Sequence, residues 1–402
     1  MDDTYIYADN AATTPLSPTA LNAMMPYFTS DFGNPSGIHR ISREAAEALL
    51  GLRGRMAAAL GARDGAEIYF TSGGSESDNW ALRGAVARFR DLHPGTVPRV
   101  ITSAVEHHAV LHCCDALARE GVEVTVLPVD AMGRVAPADL EAVLASEDAE
   151  NPRCALVSIM LANNEVGTIE PVRELARIAH AHGVPFHTDA VQAVGHIPVD
   201  MRDIGVDALS VSAHKFHGPR GVGALYLREG FSIPPLIAGG AQERGERAGT
   251  ENIAGIAGMV AALEEALSSL DATARRVASL RDELCAHVLG AVEDVRATGE
   301  ADGDVSRRLP SIASFVCRDV DGELLVVLLD RAGVAAATGS ACATGSTDPS
   351  HVAVAMGLTD PRWNRGTLRL SLASDVTSAD LELLKARVPA CIKRARALSA
   401  TI

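Results

Sequence analysis

A single lysine set between an apolar strand and a glycine-rich turn is the residue of this chain most open to chemistry: Lys215, within SAHKFHGPRGVG at 212–223. Upstream, DALSVS (207–212) alternates apolar and small polar residues, and downstream GVGALYL (221–227) is apolar again, so two strands meet at a hairpin. An amine held rigid and partly desolvated at such a tip has a lowered pKa and is available as nucleophile or base, which suits Schiff-base chemistry with an aldehyde cofactor. A surface lysine at a turn is the plainer alternative, and the commoner one on these residues alone. Asp189 raises a related question, because it follows the apolar run VPFHT, with Gln192 three residues later. A carboxylate at the buried end of a strand is costly unless a cation faces it, and a protonated pyridine nitrogen would serve. An aspartate that only caps a short turn satisfies the same residues equally well.

Four further places carry reactive or ligand-binding types. In EIYFTSGGSESDNWALRG an apolar strand runs through Gly73, Gly74 and Ser75 into a helix, where unpaired N–H groups and the positive end of the helix dipole can hold a phosphate without a lysine. The spacing matches neither a Walker loop nor GxGxxG, and Ser75 with Asp78 also fits ordinary capping. His107 and His108 open the next helix, facing a ligand or simply capping it. The continuous apolar strand CALVSIMLANNEVG (154–167) ends in Asn163, Asn164 and Glu165, as the C-terminal edge of a buried parallel strand does. Cys342 lies in ATGSACATGSTDPSHV (337–352), whose small residues bury little apolar area, so a mobile loop and an accessible thiol are expected, with an incidental free cysteine as the alternative.

The elements that must position these residues alternate. A strand at 5–8, a turn, helices at 18–27 and 43–60, and then repeated strand–turn–helix units to about Leu227 predict an α/β lobe. Its sheet is mainly parallel, with helices on both faces and functional residues at strand ends. Beyond Gly230 comes the long polar loop IAGGAQERGERAGTEN (237–252), then an alanine- and leucine-rich helical stretch over 253–292 that leads to a second lobe. That lobe has strands at 311–317 and 367–373 and a closing helix at 378–399 with Lys385, Lys393, Arg394 and Arg396 on a solvated basic face.

Composition narrows the function. A chain of 402 residues, 47% of them hydrophobic, can bury a large core, and its net charge of −15 argues against a nucleic-acid surface. No apolar run approaches the roughly 18 to 20 residues needed to span a bilayer, and the start lacks a basic region followed by an apolar one, so no membrane and a cytoplasmic location are expected. The seven cysteines are scattered without a CxxC pair, which predicts buried thiols rather than a zinc site or a disulfide framework.

Taken together, ADNAATTP (8–15), FGNPSGIH (32–39), FTSGGSESDN (70–79), VEHHAVL (105–111), ANNEVG (162–167), HTDAVQAVG (187–195), SAHKFHGPRGVGALY, GGAQERGERAGTEN and TGSACATGSTDPSHV resemble the cysteine desulfurases of the NifS and IscS type, pyridoxal-phosphate enzymes of the class V aminotransferase family. The similarity spans nearly the whole chain. It implies an α/β, aspartate aminotransferase-like PLP-dependent transferase fold, with a mainly parallel seven-stranded-type sheet in the large domain and a smaller α+β C-terminal domain. The implied boundaries are an N-terminal segment 1–15 serving the small domain and active site, a PLP-binding domain 16–260 and a small domain 261–402 carrying the Cys342 loop. By the same resemblance Lys215 holds pyridoxal 5'-phosphate as a Schiff base and then takes the Cα proton. Asp189 pairs with the ring nitrogen, Gln192 bonds the ring oxygen, and His107 stacks on the ring. Gly74, Ser75, Ser212 and His214 contact the phosphate, with Thr250 reaching in from the other subunit of a homodimer. Asn164 and Arg369 hold the carboxylate of L-cysteine. Cys342 attacks the substrate sulfur, becomes a persulfide and releases alanine, and the sulfur passes to an acceptor protein such as an iron–sulfur scaffold. Ser75 stands where threonine is common, and ACATGSTDPS replaces the more frequent ACTSxSxxPS; the long loop is similar to the NifS/IscS group rather than the SufS group. A selenocysteine lyase or another β-eliminating enzyme of this fold would use Lys215 and Asp189 identically. A non-catalytic sulfur-transfer scaffold would instead show a degraded site.

Overall fold

The apolar runs become strands. The computed structural model describes residues 5–146, 153–300, 306–339 and 349–399. Its strands are β1 (Ile6–Tyr7), β2 (Ile68–Thr71), β3 (Arg99–Ser103), β4 (Glu123–Leu127), β5 (Cys154–Ser158), β6 (Phe186–Asp189), β7 (Ala208–Ser212), β8 (Gly223–Leu227), β9 (Val295–Ala297), β10 (Ile312–Cys317), β11 (Val334–Ala335) and β12 (Thr367–Ser371). A seven-stranded sheet runs in the order β2-β8-β7-β6-β5-β3-β4. From β7 to β4 the strands are parallel, and β8 is antiparallel to both of its neighbours. Every residue of β5, β6, β7 and β8 is buried, which is why CALVS and ALYL read as unbroken runs: inner strands of a sheet with helices on both sides are covered on both faces. Helices Arg40–Leu60, Val172–Ala181 and Ile253–Ser268 close one apolar cluster, and Gly74–Leu92 with His108–Arg119 closes another. At the edge, β4 leaves Val126 51% exposed.

The expected hairpin is β7 and β8, with Ser212 opposite Gly223. Gly223 also pairs with Thr71 of β2, and a Cβ there would lie 2.5 Å from Val211 O and 2.6 Å from Gly73 Cα. No side chain larger than hydrogen fits without moving backbone. Because β2 is antiparallel to β8, and β8 to β7, the turns after β2, β3, β5, β6 and β7 all leave from one edge of the sheet, where open α/β sheets place their ligands.

A second core forms around the antiparallel strands β12-β10-β9 and the helices Leu270–Ala291, Gly322–Arg331 and Ser378–Ser399. The helical stretch predicted over 253–292 is broken at Ser269, where the two helix axes differ by 72°, and its halves serve different cores. β1 pairs in parallel with β11 and packs Ile6 and Ala8 into the second core; the chain then crosses to the large sheet, where Thr14 N donates to His214 O. On the closing helix Lys393 and Arg394 are exposed as expected, but Lys385 and Arg396 are not free of the fold. Lys385 pairs with Glu283 and Glu382, and Arg396 donates to the carbonyls of Arg318 and Asp294. Among the described residues no single helix is long and apolar enough to cross a membrane.

Candidate active site

The turns at that sheet edge enclose a cavity of about 290 Å³ whose lining includes Gly74, Ser75, His107, Asn164, Asp189, Gln192, Ser212, His214, Lys215 and Arg369. Ten positions separated by up to 295 residues in the chain thus meet at one place. Lys215 ends the short 3-10 turn Ala213–Lys215 directly after β7, its carbonyl accepting from His196 Nε2 at 2.9 Å, and its Nζ donates to Ala11 O (2.7 Å) and Ala12 O (2.8 Å). Gln192 Nε2 donates to the same Ala11 carbonyl at 2.9 Å. Asp189 is the last residue of β6; it is buried, and its Oδ1 accepts from Val191 N at 2.9 Å. Burial pushes its carboxyl up to about 6, against the pull of that N–H and of the Lys215 ammonium.

Lining the same cavity, the 19-residue helix Gly74–Leu92 begins without any side-chain cap at Gly73. The capping alternative for Ser75 and Asp78 therefore does not hold: Ser75 is exposed, Asp78 is buried, and Glu76 instead accepts from Ser72 N. Gly73 has φ +152°, and a Cβ on Gly74 would lie 2.6 Å from Val191 Cγ2, so both glycines are required to bring the helix start this close. Ser212 and His214 line the same cavity, and His214 Nδ1 is 3.0 Å from Thr13 Oγ1. His107 is the N-cap of helix His108–Arg119, its Nδ1 accepting from Ala109 N at 3.1 Å while its ring lines the cavity, so capping and facing a ligand coincide. Burial first, then Lys215, hold both His107 and His214 down to about 4, so both imidazoles are neutral at pH 7.

Arg369, from β12, brings the second core to the cavity. Its Nη1 donates to Asn164 O (3.0 Å) and its Nη2 to Asp9 Oδ1 (2.7 Å), while the buried Nε has no partner among the described residues. Asn163 is structural: Nδ2 donates to Val105 O, and Oδ1 accepts from Glu165 N and Val166 N. Cys342 lies outside the described residues. On either side of that stretch Gly339 and Ser350 come together: a Cβ on Gly339 would be 3.3 Å from Ser350 Cβ. Ser350 Oγ donates to Glu165, which burial pushes up to about 7. Thr250 is exposed and does not line the cavity of its own chain.

The arrangement fits pyridoxal phosphate on the chemistry of its donors. A buried carboxylate suits a cationic ring nitrogen, an uncapped helix start with hydroxyl and imidazole neighbours suits a phosphate, and a primary amine lines the same cavity. Sequence reasoning missed Asp9, Ala11, Ala12, Asp78 and Met160, which build the same cavity or tether its groups. Only Asp78 carried a local signal, and it pointed to capping.

The profile of the class-V aminotransferases ("Aminotransferase class-V") matches residues 6–384. The chain is 43% identical to the cysteine desulfurase IscS of Methanosarcina thermophila, covering 98% of this chain and 93% of that one. It is 47% identical to a cysteine desulfurase of Cereibacter sphaeroides, covering 98% and 97%. A solved structure titled NifS-like protein superposes with a TM-score of 0.85 at 34% identity, covering 99% of this chain and all of that one.

Proposed function

Because the chain belongs to the class-V aminotransferase family and is a pyridoxal-phosphate-dependent cysteine desulfurase, we propose the following division of labour among its residues. Lys215 is the attachment point of the cofactor, Asp189 keeps a proton on the ring nitrogen, and Gln192 donates to the ring oxygen. Gly74, Ser75, Ser212 and His214 hold the phosphate, and the neutral ring of His107 covers the cofactor and relays a proton. Pyridoxal phosphate, when bound, supplies an aldehyde that takes up amines and a cationic ring that draws electrons from the neighbouring carbon. Lys215 Nζ, once displaced by substrate, accepts the Cα proton. Arg369 and Asn164 hold the substrate carboxylate. The thiolate of Cys342 attacks the substrate sulfur: a sulfur–sulfur bond forms, the carbon–sulfur bond breaks, and L-cysteine leaves as alanine, with one sulfur now carried as a persulfide. An acceptor protein, an iron–sulfur scaffold being our choice, then takes that sulfur.

The convergence of Lys215, Asp189 and the uncapped helix start in one cavity carries this reading. Thr250, exposed on its own chain, is proposed to complete the phosphate site of a second copy, which makes the working unit a homodimer; an active monomer in sedimentation would remove that part. A reducing cytoplasm suits an enzyme whose product is a thiol-bound sulfur. The test is alanine release from L-cysteine with reconstituted protein. Lys215→Ala is expected to abolish both the visible cofactor absorbance and alanine release, whereas Cys342→Ala keeps the absorbance and loses turnover. Full activity of Cys342→Ala on cysteine would defeat the desulfurase assignment of that thiol.

A further inference from the structure

Asp78 shares the cavity without any of the roles above. It sits one turn into helix Gly74–Leu92, is 1% exposed, and lines the cavity together with Asp189. Its Oδ1 is buried with no hydrogen-bond partner among the described residues. The imidazole beside it, His187 Nε2, is 3.8 Å away and already bonded to Ser210 Oγ at 3.0 Å, with Nδ1 on Ser158 Oγ at 2.9 Å. His187 is wholly buried, and burial holds it down to about 3, so it brings no positive charge. The groups facing Asp78 are Asp189 and His187 from β6, Ser210 from β7, whose hydroxyl bonds the carboxyl, Glu106 from the turn after β3, and the Cys113 thiol of helix His108–Arg119, which burial pushes up to about 11.

An ionised Asp78 would add a second carboxylate to the site of Asp189, eased only by the Ser210 hydroxyl. Asp189 has what Asp78 lacks, namely the Val191 N–H and the field of the Lys215 ammonium. Two buried carboxyl groups lining one low-dielectric cavity disfavour each other's ionisation, and the one with more donors and a cation acting on it takes the charge. We propose that Asp78 and Asp189 form an unequal carboxyl pair, Asp78 keeping the proton and Asp189 the negative charge. Asp78 is then a positioning residue that limits the charge facing the cofactor's ring nitrogen to one. This rests on the pyridoxal-phosphate reading of the cavity only for its consequence, not for the pair itself. Burial first, then the Asp189 charge, push the Asp78 carboxyl well above the ordinary range, in keeping with the geometry.

The pair is tested first without cofactor. A carboxyl that keeps its proton in the folded state and loses it on unfolding makes stability fall as pH rises above its unfolded value. The melting temperature of cofactor-free Asp78→Asn should therefore fall with rising pH less steeply than that of wild type; parallel curves would overturn the proposal. Infrared spectra of wild-type protein carrying carbon-13 aspartate need no variant: a protonated aspartic acid at pH 7 is expected, and its absence overturns the pair. With pyridoxal phosphate bound, the visible absorbance of wild type should show an alkaline transition missing from Asp78→Asn. If the cofactor-free results hold and no bound-cofactor absorbance develops, the functional reading fails and the pair stands. If absorbance develops but the cofactor-free curves are parallel, the reading stands and the pair fails.

Discussion

Arg369 reaches the cavity with Nη1 and Nη2 fixed by Asn164 O and Asp9 and with Nε unpartnered, so the fork is preset before any anion arrives. Lysine is one point charge and cannot be held that way. Hydrogen bonds to a charged group contribute about 1.5–3 kcal/mol, and about 1.4 kcal/mol is tenfold in binding. Arg369→Lys should therefore raise KM for L-cysteine about tenfold or more while leaving the absorbance of bound cofactor in place, as steady-state alanine assays and spectra will show. At this scale the residues alone left Lys215 and Asp189 open, since a lysine at a turn and an aspartate at a strand end are commonly structural, and only the order and spacing of the motifs around them singled both out. Asp9 was not singled out, since its partner Arg369 lies 360 positions away and nothing local marks either as half of a pair. Asp78 misled because an aspartate near a helix start ordinarily caps it, and here the helix start faces a cavity instead.

Strands β2, β8 and β7 meet at Gly223, whose missing side chain lets the backbone of Gly73 cross over. Overpacking a tight contact of this kind costs about 1–3 kcal/mol. Gly223→Ala should lower the urea midpoint accordingly and weaken cofactor uptake, because the displaced backbone belongs to the helix start; a shifted midpoint with unchanged uptake would separate the two. The long strands were legible in sequence as apolar runs bounded by turn residues. β1, β9 and β11 were harder, because two or three residues carry no periodicity and only the pairing partner makes them strands. The break at Ser269 also lay hidden, since alanine- and leucine-rich helix continues on both sides and only the two cores decide where it turns.

Across the molecule, buried titratable groups set how stability depends on pH. Burial raises Glu106 and Glu170 to about 8 and Glu165 to about 7, so the folded protein keeps protons that the unfolded chain releases above about 4.5. In that window the unfolded state holds fewer protons, and stability falls as pH rises. His107, His214 and His187 have the opposite sign: depressed to between about 3 and 4, they gain protons on unfolding below 6.5, and stability falls as pH drops. Well above pH 6.5 the histidine contribution fades while the raised carboxyls keep acting, so the melting temperature should decline from neutrality through pH 8. Glu106→Gln should flatten that decline, and calorimetry across the range checks both. The composition foretold a large core but not this balance, which depends on which acids the fold buries. One contact has a different consequence. Gly339 and Ser350 touch beside Glu165, so the ten residues between them depart from and return to a single point. Each doubling of such a closed span costs only about 0.6 kcal/mol. Spans of other lengths can accordingly be grafted between the same two anchors while the scaffold stays as it is.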